Sequence, residues 1–282
     1  MRSPFLKFFI LIVVAGVLWM LLKSSSILRF KGAAGEIGVV EIKGTIRSSD
    51  SLVVWINKLR KMSSVRGILL RVDSPGGAVA PTQEILEALK RAKKSGKPIV
   101  ASFGNVAASG GYYVSLAADR IVANPGTVTG SIGVIAEFPV VSEFLKKHGI
   151  KFEIIKTGRF KDTGTPFREM KPEERRIFKD VLMDVYNQFV EEVAIARKMS
   201  VDSVKKIADG RVFTGRMALK LGLVDTLGSF DDAVNILKKM CGIKGAVHLL
   251  YRKRRRRLSV IDFILDRVEE KLETPQFLYR IY

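Results

Sequence analysis

Two glycine-rich turns hold the residues with the clearest chemical potential. One reads Asp73-Ser74-Pro75-Gly76-Gly77 and the other Ala107-Ala108-Ser109-Gly110-Gly111-Tyr112-Tyr113. Neither has the spacing of a phosphate-binding loop, G-x-G-x-x-G or G-x-x-x-x-G-K-[ST]. In the second turn Ser109 stands at the head of an apolar run. There the free N–H groups and positive dipole end of a helix favour a developing negative charge. Gly110 lets a substrate approach the backbone closely, and its N–H can face an oxyanion. An N-cap serine followed by glycines for close packing is the plainer alternative. The first turn tips the balance toward chemistry. Gly76-Gly77 follow a buried strand and can supply the second oxyanion donor that acyl transfer needs. Ser74, locked ahead of Pro75, is the weaker nucleophile candidate.

A serine nucleophile needs a base. The chain has two histidines. His148 follows Lys146-Lys147 and His248 lies in an apolar stretch, and neither has a clear claim. The remaining choice is a lysine whose pKa is lowered by burial, so that the neutral amine is available near neutral pH. Activity should then rise toward alkaline pH. Lys156 and Lys161 bracket Thr157-Gly158-Arg159-Phe160, and residue context does not choose between them. The single cysteine, Cys241, excludes an intrachain disulfide and any Cys₄ or Cys₂His₂ zinc site.

The elements that must position these residues alternate between strand and helix signals. Residues 37–46, 65–73, 98–103 and 152–155 read as strands, the first rich in β-branched side chains. Helical spacing of apolar residues marks 51–62, 81–94 and 138–148. Residues 105–118 begin with small residues and continue as a helix. Pro172 suits a first helical turn, Glu173 and Glu174 complement its dipole, and the apolar period continues through Phe178, Leu182, Val185, Phe189 and Val193 toward Met199. Shorter helices are expected at 203–208, 215–221 and 230–240. This alternation predicts an α/β fold with largely parallel strands. At 282 residues the chain can bury a full core.

The charge balance is 48 Lys+Arg against 28 Asp+Glu, a net +20. Six of these charges form one run, at 252–257, and Arg2, Lys7, Lys23, Arg29 and Lys31 flank an apolar N-terminal segment. No aromatic residue is interleaved with the basic run, so nucleic acid is not the expected partner. The run reads either as a solvated tail or as a contact with an anionic lipid surface. Residues 8–22 carry no polar side chain and span about 22 Å as a helix. Starting from Phe5, with Lys7 snorkelling, the span is about 27 Å, close to the roughly 30 Å hydrocarbon core. An uncleaved signal anchor fits better than a cleaved signal peptide. The flanking charges do not decide its orientation.

In four stretches the chain resembles the signal peptide peptidase A (SppA) family of membrane-bound serine proteases. They are VDSPGG at 72–77, ASGGYYVSLAAD at 108–119, TGSIGV at 129–134 and TGRFKDTGTPFREM at 157–170, in the family's order. The resemblance covers roughly residues 36–240 and the N-terminal anchor, with the length of the family's short form. It implies a crotonase-like or Clp-protease-like α/β fold of repeated β-β-α units behind one transmembrane helix. It also implies a Ser–Lys dyad: Ser109 as nucleophile, Lys161 as general base, Ser131 as the hydroxyl that orients the amine, and the N–H groups of Gly76 and Gly110 as the oxyanion hole. No metal or other cofactor is required. In the short form, the resemblance implies that serine and lysine come from neighbouring subunits of a homo-oligomeric ring.

The expected organisation is a stub, anchor and linker at 1–31, a peptidase domain at 36–240, and a basic run with a C-terminal amphipathic helix or tail at 241–282. The expected substrates are apolar peptides, such as signal peptides left in the membrane. By resemblance, the enzyme is a single-pass protein of the cell (inner) membrane with its catalytic domain on the extracytoplasmic side. Three rivals differ in the features they need. A related Ser–Lys protease would cut a membrane partner protein. An acyl-CoA hydratase or isomerase would share the fold without needing Ser109, Lys161 or an anchor. A non-catalytic membrane scaffold would not need intact motifs.

Overall fold

The computed structural model describes residues 13, 14, 16, 17, 19 and 20, residues 35–252 and residues 278–280. Most of the expected anchor at 5–22, the basic run after Arg252 and the helix expected beyond Leu258 lie outside these residues. The six N-terminal residues are helical and exposed. Among the described residues, no helix is long and apolar enough to cross a membrane.

Three near-continuous apolar runs become the middle of a sheet. β1 (Gly35–Lys43), β2 (Val65–Ser74) and β4 (Ile99–Ala108) pair in parallel, as strands buried on both faces do. Their side chains divide with period two. On one face, Val40 and Ile42 of β1 and Ile68, Leu70 and Val72 of β2 join the main core. Onto it pack α1 (Asp50–Lys61), α2 (Val79–Lys94) and α5 (Pro172–Arg197). A 12-residue helix such as α1 is marginal in isolation. Ile56 and Leu59, both 0% exposed, hold it to the sheet, at about 1.5–3 kcal/mol each. Trp55 Nε1 also donates to Val39 O at 2.9 Å. On the other face, Ile37, Val39, Leu69, Val100 and Val122 meet Ala233 and Leu237 of α8 (Phe230–Met240), with Cys241 beside them. A Cβ at Gly67 would stand 2.6 Å from Cys241 Sγ, so the thiol is a close-packed core group.

β4 forks at the end that matters for chemistry. Residues 100–102 pair with β5 (Arg120–Ala123), and residues 106–108 pair with β6 (Val128–Gly130). β7 (Val212–Thr214) runs antiparallel on β6, β8 (Thr226–Leu227) extends β5, and β9 (Val247–Leu250) lies on the outer edge of β1. The sheet therefore takes in residues past the boundary expected at 240. A separate two-stranded piece pairs β3 (Gly76–Ala78) antiparallel with β10 (Leu278–Arg280). The remaining helices are short: α3 (Gly110–Ser115), α4 (Ser142–Lys147), α6 (Val201–Lys205) and α7 (Gly215–Lys220).

Three local expectations change. Residues 105–108 continue the strand β4 rather than opening a helix, because their backbone finds partners in β2 and β6. The helix expected at 138–148 shortens to α4. Residues 152–155 form no strand. No sheet edge reaches them, and Phe152 instead stacks on Phe167 with ring centroids 3.8 Å apart.

Candidate active site

Ser109 sits between the end of β4 and the start of α3, at φ 53° and ψ −119°. Ser131, just beyond β6, has φ 50°. Among the described residues only these two and Lys198 are non-glycine residues at positive φ. Such conformations cost on the order of 1–3 kcal/mol and persist where the surroundings over-determine them. Here they do. Ser109 N–H donates to Gly130 O at 2.8 Å, Tyr113 N–H to Ser109 O at 2.8 Å, and Ser131 N–H to Arg211 O at 2.9 Å. The Thr129 hydroxyl donates to Ala107 O at 2.6 Å. Ser109 is 1% exposed, yet among the described residues its Oγ has no hydrogen-bond partner, whereas most buried hydroxyls find one.

The two glycine turns touch. A Cβ on Gly111 would stand 2.6 Å from Ser74 O. Gly110 opens α3, where the first N–H groups lack an intrahelical acceptor. Ser74 is a tie rather than a nucleophile: its Oγ donates to Gly44 O at 2.6 Å and accepts from Gly76 N–H at 3.1 Å. The Gly76 donor is thus engaged by Ser74. A Cβ on Gly77 would collide with the backbone of Ile46. β3 passes this turn with β10 paired along it, and β10 also lies against α3.

Lys161 is placed differently. It lies in a turn, exposed, and among the described residues its amine makes no hydrogen bond or ion pair. It lines a cavity of about 590 Å³ with Phe138, Phe152, Ile154 and Phe167. None of Ser109, Ser131, Gly76 or Gly110 lines that cavity. The structure therefore brings Ser109, Ser131, Gly76 and Gly110 together around the ends of β4 and β6, while Lys161 lines a cavity that none of them lines. It also separates the two lysines that residue context could not. Lys156 Nζ donates to Arg159 O at 3.0 Å and to the Asp162 carboxylate, so this amine is already tied. The histidines stay outside: His148 Nδ1 lies 2.8 Å from Phe144 O, and His248 stands on the edge strand opposite Glu36.

Sequence reasoning missed Asp162, Arg168 and Glu174. Arg168 bonds both carboxylates. Its guanidinium, and then Lys156, holds the Asp162 carboxyl well below the usual carboxylate range. Glu174, read from sequence as a helix-dipole residue, is 1% exposed and is pushed down to about 2, first by Arg168 and next by the Lys171 N–H. Its position two residues after Pro172 was the available signal, a carboxylate placed to cap the first turn.

The model of peptidase family S49 matches residues 91–244, a stretch containing Ser109, Ser131 and Lys161. A protein from Synechocystis, named provisionally as a protease, is 42% identical over 210 residues, or 74% of this chain and 75% of that one. A provisionally named signal peptide peptidase SppA from Enterococcus faecium is 39% identical over 72% of this chain and 59% of its own length. Protease 4 of Haemophilus influenzae is 35% identical over 71% of this chain and 34% of its own. The chain thus spans three quarters of the first relative and smaller shares of the other two.

Proposed function

This chain belongs to peptidase family S49, within the SppA group of serine proteases, and from that premise we propose a Ser–Lys endopeptidase whose dyad is completed between two copies. The observation that carries the reading is Ser109 Oγ, buried and without a hydrogen-bond partner among the described residues. Oγ attacks the peptide carbonyl, and its proton passes to Lys161 Nζ of the neighbouring copy. The resulting oxyanion is held by the N–H groups of Gly110 and Gly76, the latter turning from Ser74 Oγ. Collapse breaks the C–N bond, and Nζ returns the proton to the leaving amine. Water then hydrolyses the acyl-enzyme. Ser131, beside Gly130 at the foot of Ser109, orients the incoming amine.

Two further observations support this arrangement. Lys161 is exposed, and shielding an amine from water favours the neutral form that a base needs. The cavity it lines is largely apolar and open, with Phe152, Ile154 and Phe167 all exposed. A second copy docking there would cover both, and head-to-tail repetition of that contact closes a ring. The pairing of β10 on β3 supports a substrate that adds as an extended antiparallel strand. In the same proposal the fold is crotonase-like or Clp-protease-like. The N-terminal segment anchors the enzyme in the cell membrane with its catalytic domain on the extracytoplasmic side. The substrates are apolar peptides such as remnant signal peptides.

The test is hydrolysis of a leucine-rich peptide by wild type beside Ser109→Ala. Turnover should fall by about 10³–10⁶-fold, and a Ser109→Ala enzyme of near-normal rate would remove Ser109 from the mechanism.

A further inference from the structure

The segment that carries Lys161 is fixed by side chains rather than by backbone ladders. Residues 148–171 contain no helix or strand; short turns close there, with Lys161 N–H donating to Gly158 O at 3.1 Å and Thr163 N–H to Phe160 O at 3.2 Å, and the rest of the geometry must come from side chains. It comes from one buried carboxylate. Glu174 receives Arg168 Nη2 at 2.6 Å, Arg168 Nη1 at 2.8 Å, the Lys171 N–H at 2.8 Å and the Thr163 hydroxyl at 3.3 Å. Arg168 turns its Nε to Asp162 Oδ2 at 2.9 Å, and the other oxygen of Asp162 takes Lys156 Nζ. The chain is therefore gripped at 156, 162, 163 and 168. These points lie on both sides of Lys161, and the grip leaves its amine out.

A buried ion pair is a poor way to gain stability, because desolvation offsets much of the attraction. What a bidentate guanidinium–carboxylate pair does supply is one geometry. We infer that Arg168, clamped between Glu174 and Asp162, is the positioning residue for Lys161: it sets the reach of that amine from the first turn of α5 to a serine on another copy. The clamp also keeps Lys156 occupied, so that one of the two nearby amines is presented and the other is not. This inference rests on Lys161 as the base.

The experiment compares Arg168→Lys and the milder Asp162→Asn with wild type in the assembled enzyme, with Lys161→Ala alongside. Arg168→Lys keeps the charge but not the fork. It should lower kcat by on the order of tenfold to a hundredfold, as a misplaced catalytic group does, with KM within about twofold and particle size unchanged. Asp162→Asn should give a smaller loss of the same kind. An unchanged kcat in Arg168→Lys, beside an inactive Lys161→Ala, would overturn the clamp and leave the base assignment standing. A loss of kcat that tracks loss of assembly would also overturn it, in favour of a structural role. If Lys161→Ala itself keeps near-normal kcat, it is the base assignment that falls. A second readout uses Lys161→Ala rescued by an added primary alkylamine. A diffusing amine needs no tether, so adding Arg168→Lys to that enzyme should cost nothing. An equal loss there would show that Arg168 does not act through Lys161.

Discussion

Ser109 and Lys161 sit in two kinds of surroundings. Ser109 is held by the ends of β4 and β6, by backbone hydrogen bonds and by glycines that admit no side chain. Lys161 is held by a chain of ion pairs on a segment without regular structure, with an open, largely apolar cavity beside it. One region is buried within the fold. The other is ordered but uncovered. The contrast teaches that rigidity and burial are separate properties: the lysine segment is well fixed and yet exposed.

The strongest way to break this comparison is to mix two inactive enzymes. Ser109→Ala and Lys161→Ala subunits, combined at equal ratio and allowed to exchange, should recover about a quarter of wild-type turnover, because random neighbours in a ring pair an intact serine with an intact lysine one time in four. A dyad within one chain would recover nothing. Glycine substitutions probe the difference in packing. Gly77→Ala drives a methyl into the Ile46 backbone and should cost about 3 kcal/mol or more in thermal unfolding. Gly158→Ala, in the lysine segment with nothing within 4 Å, should stay within about 0.5 kcal/mol. Equal losses at the two positions would erase the distinction.

Removing residues 278–282 should free the β3 edge and lower KM for an extended peptide by about two- to tenfold, since a tethered strand competes at high effective concentration. An unchanged KM would mean that substrate does not use that edge. The smallest effect is acid softening of the lysine segment. Glu174 titrates at about 2 in the fold against an ordinary 4.5. The stability it contributes is complete above about pH 4.5 and is lost as pH falls toward 2. Proteolytic nicking at 148–171 should rise across that window in wild type, and Glu174→Gln should already be nicked at pH 5. A flat wild-type profile would count against the clamp's role in ordering the segment.

Much of the frame was legible in the sequence because burial imposes a period. The apolar spacing at 51–62, 81–94 and 230–240 returns as α1, α2 and α8 within two residues, and the long helix from Pro172 ends at Arg197. The strands β5 to β8 escaped, since two to four residues carry no period and exist only through distant partners. At the site, the turns around Ser109 were visible because glycines and small residues mark backbone that must come close. The Glu174–Arg168–Asp162 clamp was not, because charged residues in a polar segment look alike until one of them is buried. The false strand at 152–155 shows the converse: β-branched residues such as Ile154 and Ile155 make a strand only where an edge is free to receive them.

The pairing of β10 on β3 also bears on solubility. A short strand with an unpaired side is an open edge, and such edges recruit any unfolded segment that passes, including those of other copies. Three residues of the chain's own end cover that edge. An edge suited to seeding aggregation is thus blunted by the chain's own residues.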